Sequence, residues 1–242
     1  MKEKAIGILG GMGPAATLDC FAKIIKNTPA QTDQEHLHIL IDSNPKVPDR
    51  NAAIAGKGES PVPILVAGCL SLERSGADFI IIPCVLAHFF LEEVLEQINI
   101  PILSIFDTVS EIITNEYSGI KAVGLMGTIG TISGGLFQKR LAADGIKTIV
   151  PDENHQSKIM AAIYDIKNSQ PPRSKEEVTS DLVAAAESLI SKGARGIIAG
   201  CTEIPLALSQ NHLSVPYFDA LTILARAAIL RAGLIPTLQP DA

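Results

Sequence analysis

The amino-acid sequence predicts an α/β fold made of two similar α/β/α units, each built around a parallel, doubly wound sheet. Short apolar runs alternate with helical patterns along the chain, as such sheets require. The stretch Ser71–Cys84 aligns without a gap with Ser188–Cys201, and each contains a helix end, a Gly-Ala turn, a buried strand and a final cysteine. Gly10 precedes Cys84 by 74 positions, as Gly127 precedes Cys201. Together these matches indicate a duplicated unit.

The elements follow from the chain in order. A buried strand over Ala5–Leu9 ends in the loop Gly10–Pro14, and a helix begins at Pro14 or Ala15, because proline is tolerated in a first turn. The first unit continues with strands over Leu37–Ile41, Phe79–Ile82 and Ile102–Ile105 and helices over Pro63–Ser75 and Phe89–Gln97. The second unit opens with a strand over Ala122–Leu125.

The unit boundaries are predicted at 1–104 and 105–214. We expect the remaining segment, 215–242, to return to the first unit through a helix over Ala220–Arg231. This return mirrors the crossover at Asp107–Thr114, which leads from the first unit into the second.

Composition excludes several classes of function. The net charge of −6, with 19% charged residues, is unsuited to binding nucleic acid, which requires a basic surface. The most apolar stretch, Leu213–Pro236, is interrupted by Asp219, Arg226 and Arg231, so it does not predict a membrane span. The apolar run near the N-terminus is too short for a signal peptide, and we expect a soluble cytoplasmic protein.

The four cysteines, Cys20, Cys69, Cys84 and Cys201, form no C-x-x-C pair and no metal-ligand spacing with histidines, so no metal is predicted. Two of them follow equivalent strands. In open parallel sheets ligands bind beyond the carboxyl ends of the strands. If two units related by a pseudo-two-fold axis face each other across a cleft, Cys84 and Cys201 reach that cleft from opposite sides.

Two opposed thiols are suited to racemisation of an amino acid. The reaction removes the Cα proton on one face and returns a proton on the other, so it needs one base and one acid whose roles exchange with direction. Cysteine serves as either, because its ordinary pKa of about 8.5 is easily shifted by its surroundings. The site must also supply donors to the carboxylate as negative charge develops.

Four motifs resemble the aspartate/glutamate racemase family: Gly10-Gly11-Met12-Gly13-Pro14, Asn44-Pro45-x-Val47-Pro48-Asp49-Arg50, Pro83-Cys84-x-x-Ala87-His88 and Gly200-Cys201-Thr202-Glu203-Ile204-Pro205. The resemblance implies a two-base mechanism that uses both cysteines, no cofactor, and a homodimer. Related glutamate racemases usually carry His where this chain has Glu203, which favours the aspartate branch.

By match to the family motifs, Arg50 and Lys167 are implied ligands of substrate carboxylates, and together they favour an acidic amino acid. Glu203 either contacts the substrate ammonium and guides protons, or complements a helix N-terminus. Thr128 either binds substrate or caps a helix. The substrate-binding residues predicted in all are Met12, Asn44, Arg50, Val85, Leu86, Thr128, Lys167, Thr202 and Glu203.

The chain departs from the family directly after the first cysteine, where Val85 and Leu86 replace the usual Asn and Thr. Asn and Thr offer side-chain donors to the α-carboxylate, whereas Val and Leu offer none. Backbone N–H groups at a helix start are another source of such donors. The change predicts slow catalysis, a different substrate, or compensation from another loop.

The interpretation favoured by these residues is cofactor-independent conversion of L-aspartate to D-aspartate. One alternative is a related enzyme with similar cysteine chemistry: a hydantoin racemase, a maleate isomerase or a decarboxylase. The other is an amino-acid-binding protein without catalysis, although the presence of both cysteines argues against it.

Overall fold

The computed structural model describes residues 3–237 and divides them into two compact units. The first unit comprises residues 3–105 and 221–237, and the second comprises Phe106–Ala220. The chain was expected to return to the first unit from residue 215, but residues up to Ala220 belong to the second. The reason is strand Tyr217–Asp219, which pairs with strand Ile197–Ala199. Of the predicted returning segment, residues 238–242 lie outside the described part.

The first unit contains a three-stranded parallel sheet with the order β2-β1-β3. Its strands are β1 (Ile6–Gly10), β2 (Ile39–Ser43) and β3 (Phe79–Ile81), and its helices are α1 (Pro14–Asn27), α2 (Arg50–Ile54), α3 (Val62–Arg74) and α4 (Leu91–Leu95). Short 3₁₀ helices cover Asp33–Glu35 and Val85–Phe90. The residues of β1 are all buried, as expected for a central strand of a parallel sheet covered on both faces.

The second unit has a four-stranded parallel sheet with the order β5-β4-β6-β7. Its strands are β4 (Ala122–Met126), β5 (Lys147–Ile149), β6 (Ile197–Ala199) and β7 (Tyr217–Asp219). The helices are α5 (Ile105–Glu116), α6 (Ile129–Gly134), α7 (Leu136–Ala143), α8 (Glu153–Lys167) and α9 (Lys175–Ser191), and α10 (Ala220–Ala232) follows β7. Two further 3₁₀ helices cover Ile204–Leu206 and Gln210–His212.

The repeat found in the sequence corresponds to a repeated strand order. In each unit the first strand lies between the second strand and the third strand, as β2-β1-β3 and β5-β4-β6. The cysteine follows the third of these strands in both units. The predicted α/β class with two similar parallel sheets is therefore confirmed. One predicted strand is wrong: Ile102–Ile105 forms a single parallel bridge between Ile102 and Ile80, and Ile105 already begins α5.

Packing explains why the helices bury the faces they do. Helix α1 begins at Pro14 and buries Ala16, Cys20 and Ile24, which recur at helical spacing. Helix α3 buries Leu65, Cys69 and Leu72 in the same way. Cys20 and Cys69 are thus fully buried core residues. Burial, with smaller contributions from Asp42 and Glu73, raises the pKa of Cys69 to about 12.

Candidate active site

Both predicted catalytic cysteines lie just beyond the carboxyl end of a buried strand. Cys84 follows β3 and is 6% exposed; its N–H donates to the Ile82 carbonyl at 2.7 Å. Cys201 follows β6 and is 7% exposed, and Gly200 before it donates to the Met126 carbonyl at 2.6 Å. The equivalent strands therefore deliver their thiols to equivalent positions, each at the end of its sheet where loops from parallel strands meet.

A short helix starts at the first cysteine and is stabilised by His88. The Cys84 carbonyl accepts the Ala87 N–H at 3.2 Å and lies 2.9 Å from His88 Nδ1. Because Nδ1 donates to that carbonyl, Nε2 is the acceptor for the Ile105 N–H at 3.3 Å. His88 therefore fixes the backbone around Cys84.

The glycine loop after β1 approaches the loop after β2 very closely. Gly11 has φ +90°, and a Cβ there would lie 2.3 Å from the carbonyl carbon of Asn44, so only glycine fits. The Gly11 N–H donates to Thr17 Oγ1 at 2.8 Å. The Asn44 side chain accepts the Lys46 N–H at 3.0 Å and so stabilises its own turn. The structure thus brings the predicted Met12 and Asn44 loops together.

Arg50 joins these loops to the start of α2. Its Nη1 donates to the carbonyls of Val47 at 3.1 Å and Pro48 at 2.8 Å, and Nη2 donates to Met12 at 3.4 Å. Its Nε is buried and has no hydrogen-bond partner among the described residues. The neighbouring Asp49 caps α2 by accepting the Ala52 N–H at 2.8 Å. Arg50 is therefore held in place by backbone carbonyls, while its buried Nε–H has no partner among the described residues.

Cys84 belongs to a cluster of buried apolar side chains. Met12, Val47, Cys84 and Leu86 belong to one cluster of buried residues, and Val85 is 3% exposed. The replacement of the family's Asn and Thr by Val85 and Leu86 therefore places hydrocarbon at the start of the helix that follows Cys84.

Cys201 also belongs to a cluster of buried apolar residues, but charged groups lie beside it. Cys201 Sγ donates to Glu203 Oε2 at 3.0 Å, and the other oxygen, Oε1, accepts Lys167 Nζ at 2.8 Å. Thr202 Oγ1 lies 3.4 Å from Glu203 Oε2. Lys167 is the last residue of α8 and its side chain is 31% exposed, whereas that of Glu203 is 3% exposed. Three predicted site residues, Lys167, Thr202 and Glu203, are thus in contact beside Cys201.

The pKa of the Cys201 thiol is raised well above its ordinary value. Burial is the largest cause, followed by the negative charge of Glu203, while Lys167 acts in the opposite direction. A neutral thiol that donates to a carboxylate is therefore the stable form of this pair.

Thr128 caps α6. Its hydroxyl oxygen accepts the Thr131 N–H at 3.1 Å, and Thr131 Oγ1 donates to the Gly200 carbonyl at 3.4 Å. Of the two roles considered for Thr128, the capping role is present in the structure. Through Thr131 this cap also contacts the backbone directly before Cys201.

A model of the family described as Asp/Glu/hydantoin racemase matches residues 9–228. The chain belongs to this family. It is 31% identical over 231 residues to the broad specificity amino-acid racemase RacX of Bacillus subtilis (strain 168), with 93% of this chain and 96% of RacX covered.

Solved structures give the same result. The aspartate racemase of Picrophilus torridus has a TM-score of 0.85 and 29% identity, with 97% of this chain and 96% of that one covered. An aspartate racemase homologue from Pyrococcus horikoshii OT3 has a TM-score of 0.72 and 29% identity, with coverage of 95% and 99%. The predicted membership of the Asp/Glu/hydantoin racemase family is confirmed.

The sequence did not identify the ion pairs that fix Lys167 of this racemase-family chain. Arg173 Nε donates to Asp165 Oδ2 at 2.5 Å and Nη1 donates to Asp181 Oδ2 at 2.6 Å, so Arg173 joins the end of α8 to α9. Lys158 adds a contact with Asp181 Oδ1 at 3.2 Å. Asp165 and Lys167 both belong to α8, which ends at Lys167. This network therefore positions Lys167.

Within residues 3–237, His, Cys, Asp and Glu side chains form no group of three that could hold a metal ion. In the same range, no helix is both long enough and apolar enough to cross a membrane.

Proposed function

We propose that this chain is a cofactor-independent amino-acid racemase in which Cys84 and Cys201 serve as base and acid on one substrate. The observation that carries the proposal is the equivalence of the two thiols, each buried just beyond the carboxyl end of the third strand of its own sheet. A non-catalytic binding protein would have no use for two cysteines at matched positions.

In this mechanism one cysteine acts as thiolate and removes the Cα proton, and the other acts as thiol and donates a proton to the opposite face. The electron pair left by the first step forms the new C–H bond, so no oxidant or reductant is needed. The intermediate is stabilised by donors to the substrate carboxylate. The Nε–H of Arg50 is the donor that we assign in the first unit.

An acidic amino acid, with L-aspartate as the first substrate to test, is the specificity we propose. Arg50 and Lys167 are the cations available for a second carboxylate, and the names of the Picrophilus and Pyrococcus structures support aspartate. Lys167 is bound to Glu203, so binding of such a substrate includes an exchange of carboxylates at Lys167. The proposal includes a homodimer, which sedimentation of the purified protein measures.

A second specificity is supported by the apolar surroundings of Cys84. Met12, Val47 and Leu86 accommodate hydrocarbon better than charge, and the name of RacX describes broad specificity. In this version of the proposal the chain racemises several amino acids with neutral side chains, by the same pair of cysteines.

The test is Cα–H exchange in D₂O with purified protein, dithiothreitol and a panel of L- and D-amino acids that includes aspartate. Hydroxylamine in parallel samples blocks any pyridoxal enzyme that contaminates the preparation. We expect deuterium incorporation together with formation of the other enantiomer, and loss of racemisation in both Cys84→Ser and Cys201→Ser. Racemisation that survives in either variant refutes the two-base mechanism. Racemisation of neutral amino acids without aspartate selects the second specificity.

A further inference from the structure

The two cysteines have different neighbours at the position that matters most for their protonation. The duplicated sequence aligns Cys84 with Cys201, so Leu86 occupies the place of Glu203. Leu86 packs in the apolar cluster of the first unit. Glu203 instead points a carboxylate oxygen at Cys201 Sγ, 3.0 Å away. The duplication therefore produced equivalent thiols, one of which has a hydrogen-bonded carboxylate at a position where the other has leucine.

The geometry around Cys201 identifies the charged groups that act on it. Glu203 Oε2 accepts a hydrogen bond from the Cys201 thiol, and Glu203 Oε1 binds Lys167 Nζ of α8 at 2.8 Å. Thr202 and the Thr128–Thr131 cap of α6, which also lie near Cys201, carry no charge. Among the described residues of the second unit, the thiol contacts the negative Glu203, which in turn binds the positive Lys167.

The proton in this contact belongs to sulfur. The ordinary pKa of a thiol, about 8.5, is far above that of a glutamate carboxyl, about 4.3. Lys167 Nζ lies 2.8 Å from Glu203 Oε1 and gives this carboxylate a cationic partner. Ionising Cys201 as well would place two negative charges 3.0 Å apart inside the unit and would replace a hydrogen bond with repulsion.

We propose that Glu203 is a positioning residue that keeps Cys201 in the thiol form in the substrate-free protein, so that Cys201 is the first proton donor and Cys84 the first base. This inference rests on the proposed function and adds an order to it. The Cys84 thiolate takes the Cα proton and becomes a thiol, while Cys201 gives its proton to carbon and becomes a thiolate. The starting state returns when Cys84 releases a proton to solvent and Cys201 takes one up.

The experiment measures thiol protonation directly, without turnover. Wild-type protein and Glu203→Gln are treated briefly with iodoacetamide across a pH series, and alkylation of Cys84 and Cys201 is quantified separately by peptide mass spectrometry. Glutamine keeps the shape of the side chain but removes its charge and can donate to sulfur. In Glu203→Gln we expect the rate of Cys201 alkylation, at a fixed pH below the midpoint of its pH profile, to be about tenfold or more above the wild-type rate. The pH profile of Cys84 alkylation is the internal control, and we expect it to be unchanged.

Two further variants separate charge from shape. Glu203→Asp retains the charge, and we expect the Cys201 midpoint to stay nearer to that of the wild type than to that of Glu203→Gln. Lys167→Met removes the opposing cation, and we expect the midpoint to rise. Circular dichroism of each variant reports whether it is folded. If Glu203→Gln does not fold, the result for Lys167→Met decides: a midpoint that stays or falls overturns the inference.

The readout distinguishes this inference from the proposed function. A shift of the Cys201 midpoint in Glu203→Gln, in a protein that racemises no amino acid, supports the thiol assignment and refutes the racemase. Racemisation by a protein whose Cys201 midpoint does not shift supports the racemase and overturns the role of Glu203.

Discussion

The ion pair between Lys167 and Glu203 predicts unequal losses in the free energy of unfolding for two isosteric variants. Lys167→Met leaves a carboxylate that is 3% exposed without its cation, whereas Glu203→Gln leaves an ammonium that is already 31% exposed. Removing one partner of a fully buried pair costs about 3–5 kcal/mol. Glu203 keeps its contacts with Cys201 and Thr202, and Lys167 is partly solvated, so we expect about 2 kcal/mol for Lys167→Met. For Glu203→Gln we expect less than about 1 kcal/mol.

The double variant completes a cycle. Because it removes both charges, it should be more stable than Lys167→Met alone, with a coupling energy of about 1–2 kcal/mol. Equilibrium unfolding in urea, followed by circular dichroism and by a second probe to test for a single transition, provides the free energies. Equal costs for the two single variants, or additive costs in the double variant, would refute the assignment of Glu203 as a buried charge that depends on Lys167.

Two further perturbations test the core and the Cys84 pocket. The pKa of Cys69 is raised from 9.0 to about 12, so its thiol stabilises the fold below about pH 9 and this stability is lost as the pH rises toward 12. The stability advantage of the wild type over Cys69→Ala should therefore shrink by up to about 4 kcal/mol across that range, and urea unfolding at several pH values would show a constant difference if this is wrong. Val85→Asn combined with Leu86→Thr restores the usual side-chain donors, and kcat/KM for aspartate should rise about tenfold or more in a racemisation assay. The control is the same double change combined with Cys201→Ser. If Val85→Asn with Leu86→Thr leaves kcat/KM for aspartate unchanged or lowers it, the pocket serves another substrate.

The fold was predictable because its signals are local and repeated. Strands β1, β3, β4 and β6 are short apolar runs, and the matched spacing before Cys84 and Cys201 predicted a duplicated unit. In the structure this duplication corresponds to the repeated order β2-β1-β3 and β5-β4-β6. The predictions that are wrong concern segments whose strand pairing is very short or joins distant parts of the chain. The run Ile102–Ile105 is as apolar as a strand, but it makes only one bridge before α5 begins.

The sequence predicts the members of the candidate site but not the contacts between them. Motifs identified Lys167 and Glu203 as separate ligands, and nothing in their sequence separation indicates that Lys167 Nζ lies 2.8 Å from Glu203 Oε1. The contact depends on where α8 ends relative to β6, which is fixed by packing and by Arg173. Arg173 has no motif of its own. It precedes the Ser174 capping box, and only the fold shows that it joins Asp165 to Asp181.

The two units carry cysteines at equivalent positions but with different neighbours. Racemisation needs a base and an acid at the same moment, so two thiols in identical surroundings would have no fixed starting roles. Here the backbone around Cys84 is held by a histidine that contacts its carbonyl, while the sulfur of Cys201 is held by a carboxylate. The position two residues after the cysteine, Leu86 in the first unit and Glu203 in the second, is one of the differences between them. On this reasoning the duplicated strands place the thiols, and the residue two positions later decides which thiol carries the proton when substrate arrives.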